Sequence, residues 1–277
     1  MDKSQIVELR ERFKTDGAVR IERALDSASL AMAEDAYKWS LANPSPNSAQ
    51  FQGTKDAPDR FYQDLLNGKV LAGYRRMLEE SSAADVVAEI WGSPDVWFFY
   101  EQVFLKEGGE SRRTPWHQDS SYLPIEGEQL AVMWISFEPI AKEDSLEFVR
   151  GSHRGTLYDG SRFEPGNDTA PLYGTLPRLP DIEANRDKFD ILSWAVNPGD
   201  VLLFHPGMLH GGAPTHEGRR RRTLSLRFFG DDAVFAPRPG NLGQTGEGAE
   251  MRFGDITLKL RPGESFRHPA FMKVRPR

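Results

Sequence analysis

Along the first third of the chain, apolar residues recur at three- and four-residue steps. In SQIVELRERFKTDG, Ile6, Leu9 and Phe13 form one stripe that Gly17 ends. DSASLAMAEDAYKWSLAN follows, with Asp26 or Ser27 placed to cap it and Leu30, Ala33, Tyr37 and Leu41 along one face. GKVLAGYRRMLEESSAADVVAEIWG predicts one or two further helices with a break near Ser81 and Ser82. Between them, residues 43–63 are rich in Pro, Ser and Asn and predict a long loop.

From residue 96 the period changes to two. VWFFYEQVFLK puts Phe98, Tyr100, Gln102, Phe104 and Lys106 on one face. QLAVMWISFEPI, SLEFVRGSH, DILSWAVNPGDVLLFHPGMLHGG and RTLSLRFFGDD continue the strand pattern, punctuated by turns such as Pro198-Gly199-Asp200. An irregular insertion separates His153 from Asp190, and the tail from residue 231 is rich in Gly and Pro. Helices followed by many short strands predict a mostly β fold: a barrel or jelly-roll core over about 95–230, backed by a helical part over about 1–94. No internal repeat or second-domain boundary interrupts residues 1–277, so one domain is expected.

Composition narrows the chemistry. There are no cysteines, which excludes disulfides, thiolate metal sites, iron–sulfur clusters and thiol nucleophiles. A net charge of −6 argues against a nucleic-acid surface. No apolar run approaches the roughly 20 residues of a membrane helix. The opening MDKSQIVELRERFKTDG lacks an apolar signal core, so a cytoplasmic protein is expected. Nothing in the pattern sets an oligomeric state.

The segment TPWHQDSSY carries His117 and Asp119, two residues apart and therefore on one face of a strand. With six histidines in the chain, that spacing alone is ordinary, and a surface hydrogen-bonded pair explains it equally. A third ligand would change this, because two histidines and one carboxylate make the facial triad of non-haem Fe(II) oxygenases. His268 lies in the irregular tail, His216 in a charged turn, and His153 at a strand end. That leaves His205 and His210, both in LLFHPGMLHGG, with two glycines after His210 where backbones can pack closely. Eleven residues beyond His210, Arg221 begins a strand with Arg221, Thr223, Ser225 and Arg227 on one face and Arg222, Leu224, Leu226 and Phe228 on the other. The first face carries too much charge for a dry core, so it either meets water or lines an anion pocket, where arginine offers a bidentate fork for a carboxylate.

TPWHQD, QLAVMWISFEPIAKEDSLEFVRGSHRG, GDVLLFHPGMLHGGAP and RRRRTLSLRF together resemble the phytanoyl-CoA dioxygenase family, Fe(II)- and 2-oxoglutarate-dependent oxygenases built on a double-stranded β-helix. The resemblance covers about residues 95–230. It implies His117, Asp119 and His210 as iron ligands and Arg221 as partner of the 2-oxoglutarate C5 carboxylate. It further implies Trp134 and Gln102 as cosubstrate-pocket residues, with Thr114, Thr223 and Ser225 as hydroxyl contacts. The implied reaction uses dioxygen to hydroxylate an unactivated C–H bond, releasing succinate and CO2. One departure is Asp144-Ser145-Leu146, where the family reads Asn-Gly or Ser-Gly; this changes a turn rather than a ligand. Asp119 is retained, which favours hydroxylation over halogenation. Expected substrate contacts are Phe51, Phe61, Tyr62, Tyr122 and Arg227, with Arg227 alternatively in a salt bridge. Two other readings are a cupin-like metal enzyme that does not use 2-oxoglutarate and a ligand-binding barrel without chemistry.

Overall fold

The structure, a computed structural model, describes residues 2–52, 60–107, 113–163, 167–212, 218–239 and 260–276. Helix α1 (Lys3–Asp16) opens on a capping box in which Asp2 accepts the Ser4 and Gln5 amides, and it closes on Gly17 at φ 81°. Helix α2 (Ser27–Ala42) is capped by Asp26, and α3 (Leu71–Glu80) and α4 (Ala83–Trp91) break at Ser81 and Ser82 as the pattern predicted.

The strands are β1 (Ala18–Ile21), β2 (Ala49–Gln52), β3 (Arg60–Leu65), β4 (Val96–Glu107), β5 (Thr114–His117), β6 (Ile125–Glu126), β7 (Leu130–Ser136), β8 (Leu146–Val149), β9 (Ile191–Ser193), β10 (Val201–Phe204), β11 (His210–Gly212), β12 (Arg220–Phe229), β13 (Val234–Phe235) and β14 (Lys273–Arg275). They form an antiparallel sheet in the order β1-β10-β7-β12-β4-β3-β2, with β14 also on β4, and a smaller antiparallel sheet in the order β5-β11-β8-β9. This is the expected jelly-roll, a double-stranded β-helix. Ile21, Met133, Ile135, Leu203, Leu224 and Leu226 on the outer face of the large sheet pack with Tyr37, Tyr74, Met77 and Ile90 of the helices. Val132, Trp134, Leu202 and Phe204 on its inner face pack with Phe148 and Met208.

Three expectations are corrected. Residues 43–63 are not simply a loop: β2 lies there with the start of β3, and the pair extends the sheet beyond β4. The tail is not wholly irregular, because β13 pairs with β6 and β14 with β4. Phe98 does not share a face with Tyr100. The β4–β12 register shifts between Arg227 opposite Tyr100 and Phe228 opposite Phe98. This bulge turns Phe98 to the helices, while Tyr100, Gln102, Phe104 and Lys106 keep the inner face.

Glu101, on the helix side of β4, is buried and accepts the Asn67 amide at 2.9 Å, while its second oxygen has no partner among the described residues. Burial pushes its carboxyl up to about 7. A raised carboxyl favours the protonated folded state, so its contribution to stability falls as pH rises from its ordinary value towards 7. The expected loss is on the order of 3 kcal/mol across that window. Glu101→Gln removes the titration, so the variant should gain melting temperature over the parent between pH 5 and pH 8. Parallel pH profiles for the two proteins would refute this.

Candidate metal centre

Strands β5 and β11 run antiparallel with His117 opposite His210. Close approach is possible because β11 continues as Gly211-Gly212, and a Cβ at Gly211 would lie 3.0 Å from the Thr114 carbonyl. His117 Nδ1 donates to the Pro115 carbonyl at 2.8 Å and His210 Nδ1 to the Met208 carbonyl at 2.9 Å. A carbonyl only accepts, so each ring carries a proton on Nδ1 and turns Nε2 inward. Both Nε2 atoms face Asp119 Oδ1, at 3.4 Å and 3.9 Å. His117, Asp119 and His210 are all buried, with their ligand atoms within 4.8 Å of one another, and they are the one such three-residue group among the described residues.

Asp119 Oδ2 is held from behind by Arg227, through Nη2 at 2.8 Å and Nε at 3.2 Å. Gln102 Oε1 in turn accepts from Arg227 Nη2 at 2.8 Å, and Arg227 lies 4.5 Å from the centre of the Tyr100 ring. Burial alone would raise the Asp119 carboxyl, but the Arg227 charge and the neighbouring histidines hold it well below the usual carboxylate range. Burial, with the adjacent His117, draws the His210 imidazole down to about 3. An ionised carboxylate flanked by two imidazole nitrogens is the donor set that suits a divalent iron ion. The carboxylate keeps Oδ1 for the ion while Oδ2 is oriented by arginine.

His205, the alternative third ligand, has both ring nitrogens engaged. Nε2 donates to the Gly127 carbonyl at 2.9 Å and Nδ1 accepts the Gly207 amide at 3.0 Å. His153 packs beside it, and His216 lies outside the described residues.

From the triad, a polar stripe runs along the inner face of β12. Ser225 stands opposite Gln102 on one side and Trp134 on the other; Thr223 stands between Phe104 and Ser136; Arg221 is opposite Lys106. Ser225, Thr223, Trp134 and Arg221 are buried. Ser225 to Arg221 spans four residues, about 13 Å of strand. Arg221 Nη1 donates to the Asp144 carbonyl at 2.7 Å, and Arg219 lies 3.3 Å from the Asp144 carboxylate. The unusual Asp144 turn therefore abuts Arg221, a consequence its position in the sequence did not suggest. Burial lowers the Arg221 guanidinium to about 10, still protonated at neutral pH, whereas burial and the Arg221 charge lower Lys106 to about 6.

A model of the family described as "Phytanoyl-CoA dioxygenase (PhyH)" matches residues 13–223. The chain belongs to the phytanoyl-CoA dioxygenase family. It is 25% identical over 179 residues to the "Probable phytanoyl-CoA dioxygenase" of Caenorhabditis elegans, covering 61% of this chain and 54% of that protein. To the peroxisomal phytanoyl-CoA dioxygenase of Homo sapiens it is 26% identical over 154 residues, covering 53% and 43%. The chain thus spans about half the length of the curated relatives it matches. Its fold matches the crystal structure of the epimerase SnoN in complex with Fe3+, alpha ketoglutarate and nogalamycin RO, with a TM-score of 0.67, 18% identity, and 99% and 100% of the two chains covered.

Within this member of the phytanoyl-CoA dioxygenase family, the sequence-predicted residues divide into those brought together and those set apart. Thr114 pairs with Gly212 across a bulge in β5, which returns it to the His117 side. Gln102 lies beside the triad, but its oxygen is committed to Arg227. The Arg227 fork holds Asp119, which is the salt-bridge alternative realised with a carboxylate other than Asp231 or Asp232; those acids pair with Arg267 and the 128–129 backbone. Tyr62 points away from the site into the helix-side core, and its neighbour Phe61 takes the inward position opposite Lys106. Phe51 is exposed and packs on Phe61 at 5.0 Å. Tyr122 stays near the triad, 6.4 Å from the His117 ring. Sequence reasoning missed Gln118, between the two ligands, whose side chain binds the Gly207 and Thr156 carbonyls and the Tyr158 amide. A buried glutamine beside two ligands was the available signal.

Proposed function

We propose that the chain is an Fe(II)- and 2-oxoglutarate-dependent dioxygenase, acting as a single domain and in the cytoplasm, that hydroxylates an unactivated C–H bond of a small organic molecule. The observation that carries this reading is the convergence of His117, Asp119 and His210 on one buried point, with a polar stripe leading from it to the protonated Arg221. His117, Asp119 and His210 would hold the ion by one face, leaving its other face open. Fe(II), with 2-oxoglutarate and dioxygen, supplies the oxidising power for C–H cleavage, with succinate and CO2 as coproducts.

The protein's contribution is positioning. The Pro115 and Met208 carbonyls fix both imidazoles in the tautomer that presents Nε2 inward. Arg227 holds the Asp119 carboxylate ionised and in one orientation. Arg221 offers the fork for the far carboxylate of the cosubstrate, and the Ser225 and Thr223 hydroxyls line the way to it. The apolar packing of Trp134, Val132, Phe148 and Phe204 keeps water from the space between the sheets.

Anaerobic titration of Fe(II) and 2-oxoglutarate into metal-free protein tests the reading. A weak visible charge-transfer band that needs both components supports it. Iron binding without the band would leave Arg221 unused and favour a cupin-like enzyme that does not use the oxo acid. Absence of iron binding would favour a barrel without chemistry.

A further inference from the structure

The insertion after β8 reaches back over the metal ligands, and its path is fixed by Tyr122. The Tyr122 hydroxyl donates to the Ser161 carbonyl at 3.0 Å and accepts the Ser161 amide at 2.8 Å. Gly160 lies so close to the Tyr122 ring that a Cβ there would come within 2.8 Å of it. Asp159 anchors the same turn by accepting amides from Leu172 through Leu176. Two residues beyond Ser161, Phe163 adopts φ 55°, a left-handed conformation that costs a bulky residue on the order of 1–3 kcal/mol.

That backbone sets the Phe163 ring 5.3 Å from the His117 ring at 78°, and 6.3 Å from the Tyr122 ring at 18°. Phe163 is nevertheless 37% exposed, so the strained residue does not serve to fill the core. A strained, partly exposed aromatic, nearly parallel to a second ring and edge-on to His117, stands at the solvent-facing margin of the triad. An aliphatic side chain would cover His117 equally well. What the aromatic pair adds is a π-face, which favours flat partners in offset or edge contact.

We propose that Phe163 and Tyr122 form a ring-binding wall that receives a flat aromatic or conjugated ring of the substrate beside His117. This rests on the dioxygenase reading and names the class of molecule that site takes.

The test uses Mn(II) in place of iron, with 2-oxoglutarate under nitrogen, and 2-naphthol as probe. Metal loading is read by electron paramagnetic resonance, and probe binding by paramagnetic relaxation of the naphthol protons. In the parent protein, 2-naphthol should relax strongly and bind at least about fivefold more tightly than decahydro-2-naphthol, its saturated analogue. Phe163→Leu keeps apolar bulk without the π-face and should weaken 2-naphthol about fivefold; Phe163→Trp should restore it to within about twofold. Equal affinity of the Leu variant and the parent, equal affinity for the saturated analogue, or no relaxation of bound probe overturns the wall while the metal site stands. Failure to load Mn(II) removes the dioxygenase reading and the wall with it.

Discussion

The His210→Ala variant is expected to lose Fe(II) binding by well over a hundredfold, while His205→Ala keeps it to within about threefold. The two histidines stand five residues apart on one segment, LLFHPGMLHGG, and composition does not distinguish them. Their hydrogen bonds do. His210 spends one nitrogen on the Met208 carbonyl and presents the other to Asp119 Oδ1, so removing it leaves two ligands where three converge. Because loss of residues that merely orient ligands already costs about 10–100-fold in metal affinity, loss of a ligand itself should cost more. His205 has no nitrogen to give: one donates to Gly127 and the other accepts from Gly207. Its replacement leaves a cavity and two unmet backbone partners, so the His205→Ala protein should be destabilised by roughly 2–4 kcal/mol. Calorimetric Fe(II) titration under nitrogen, paired with thermal melting, separates the two effects. Iron binding that survives in His210→Ala and disappears in a folded His205→Ala would reverse the assignment.

What holds the triad comes from distant parts of the chain. Asp119 meets Arg227 across 108 positions of sequence, and Gln102 reaches the same arginine across 125. Both depend on β12 lying beside β4 in a register that sets Ser225 opposite Gln102 and Arg227 opposite Tyr100. The arginine serves two ends at once. Its charge keeps Asp119 ionised in a buried place, and its fork occupies one carboxylate oxygen so that the other faces the histidines.

This separation explains which features were legible in the sequence. Alternation is a local property, so the two faces of β12 could be read directly, and the buried inner row Arg221, Thr223, Ser225 and Arg227 matches it. Helix stripes and caps are local as well, and Gly17 and Asp26 act as their residue types suggest. A bulge leaves no mark in composition, so the shift that turns Phe98 outward could not be seen in the even alternation of VWFFYEQVFLK. Register is a pairwise property, which is why Phe61 rather than Tyr62 faces inward once β3 pairs with β4. The β2–β3 hairpin was hidden by Pro and Ser residues that resemble a loop when no partner strand is considered. Phe163 was hidden because a left-handed phenylalanine in an irregular insertion has no periodic signature.

The Arg221→Ala variant should raise the 2-oxoglutarate requirement by about a hundredfold or more and leave Fe(II) affinity within about threefold. Truncating one partner of a buried, hydrogen-bonded charge pair costs about 2–5 kcal/mol, and the cosubstrate's far carboxylate would be that partner. The metal ligands lie at the other end of the stripe, near Ser225 and Arg227, so their geometry should not change. A further effect comes from Lys106, opposite Arg221 on β4. Burial and the Arg221 charge together lower its ammonium to about 6, so it is largely neutral at pH 7.5 in the parent. Removing Arg221 lifts one of those two causes and raises the Lys106 value. In the variant, residual 2-oxoglutarate affinity should therefore strengthen as pH falls from 8 to 6, as Lys106 gains a proton and becomes the remaining cation. Charge-transfer titrations of parent and variant at several pH values measure both effects. A cosubstrate affinity unchanged by Arg221→Ala would transfer the carboxylate to another cation. A variant affinity flat across that pH range would remove Lys106 from the account while leaving Arg221 in place.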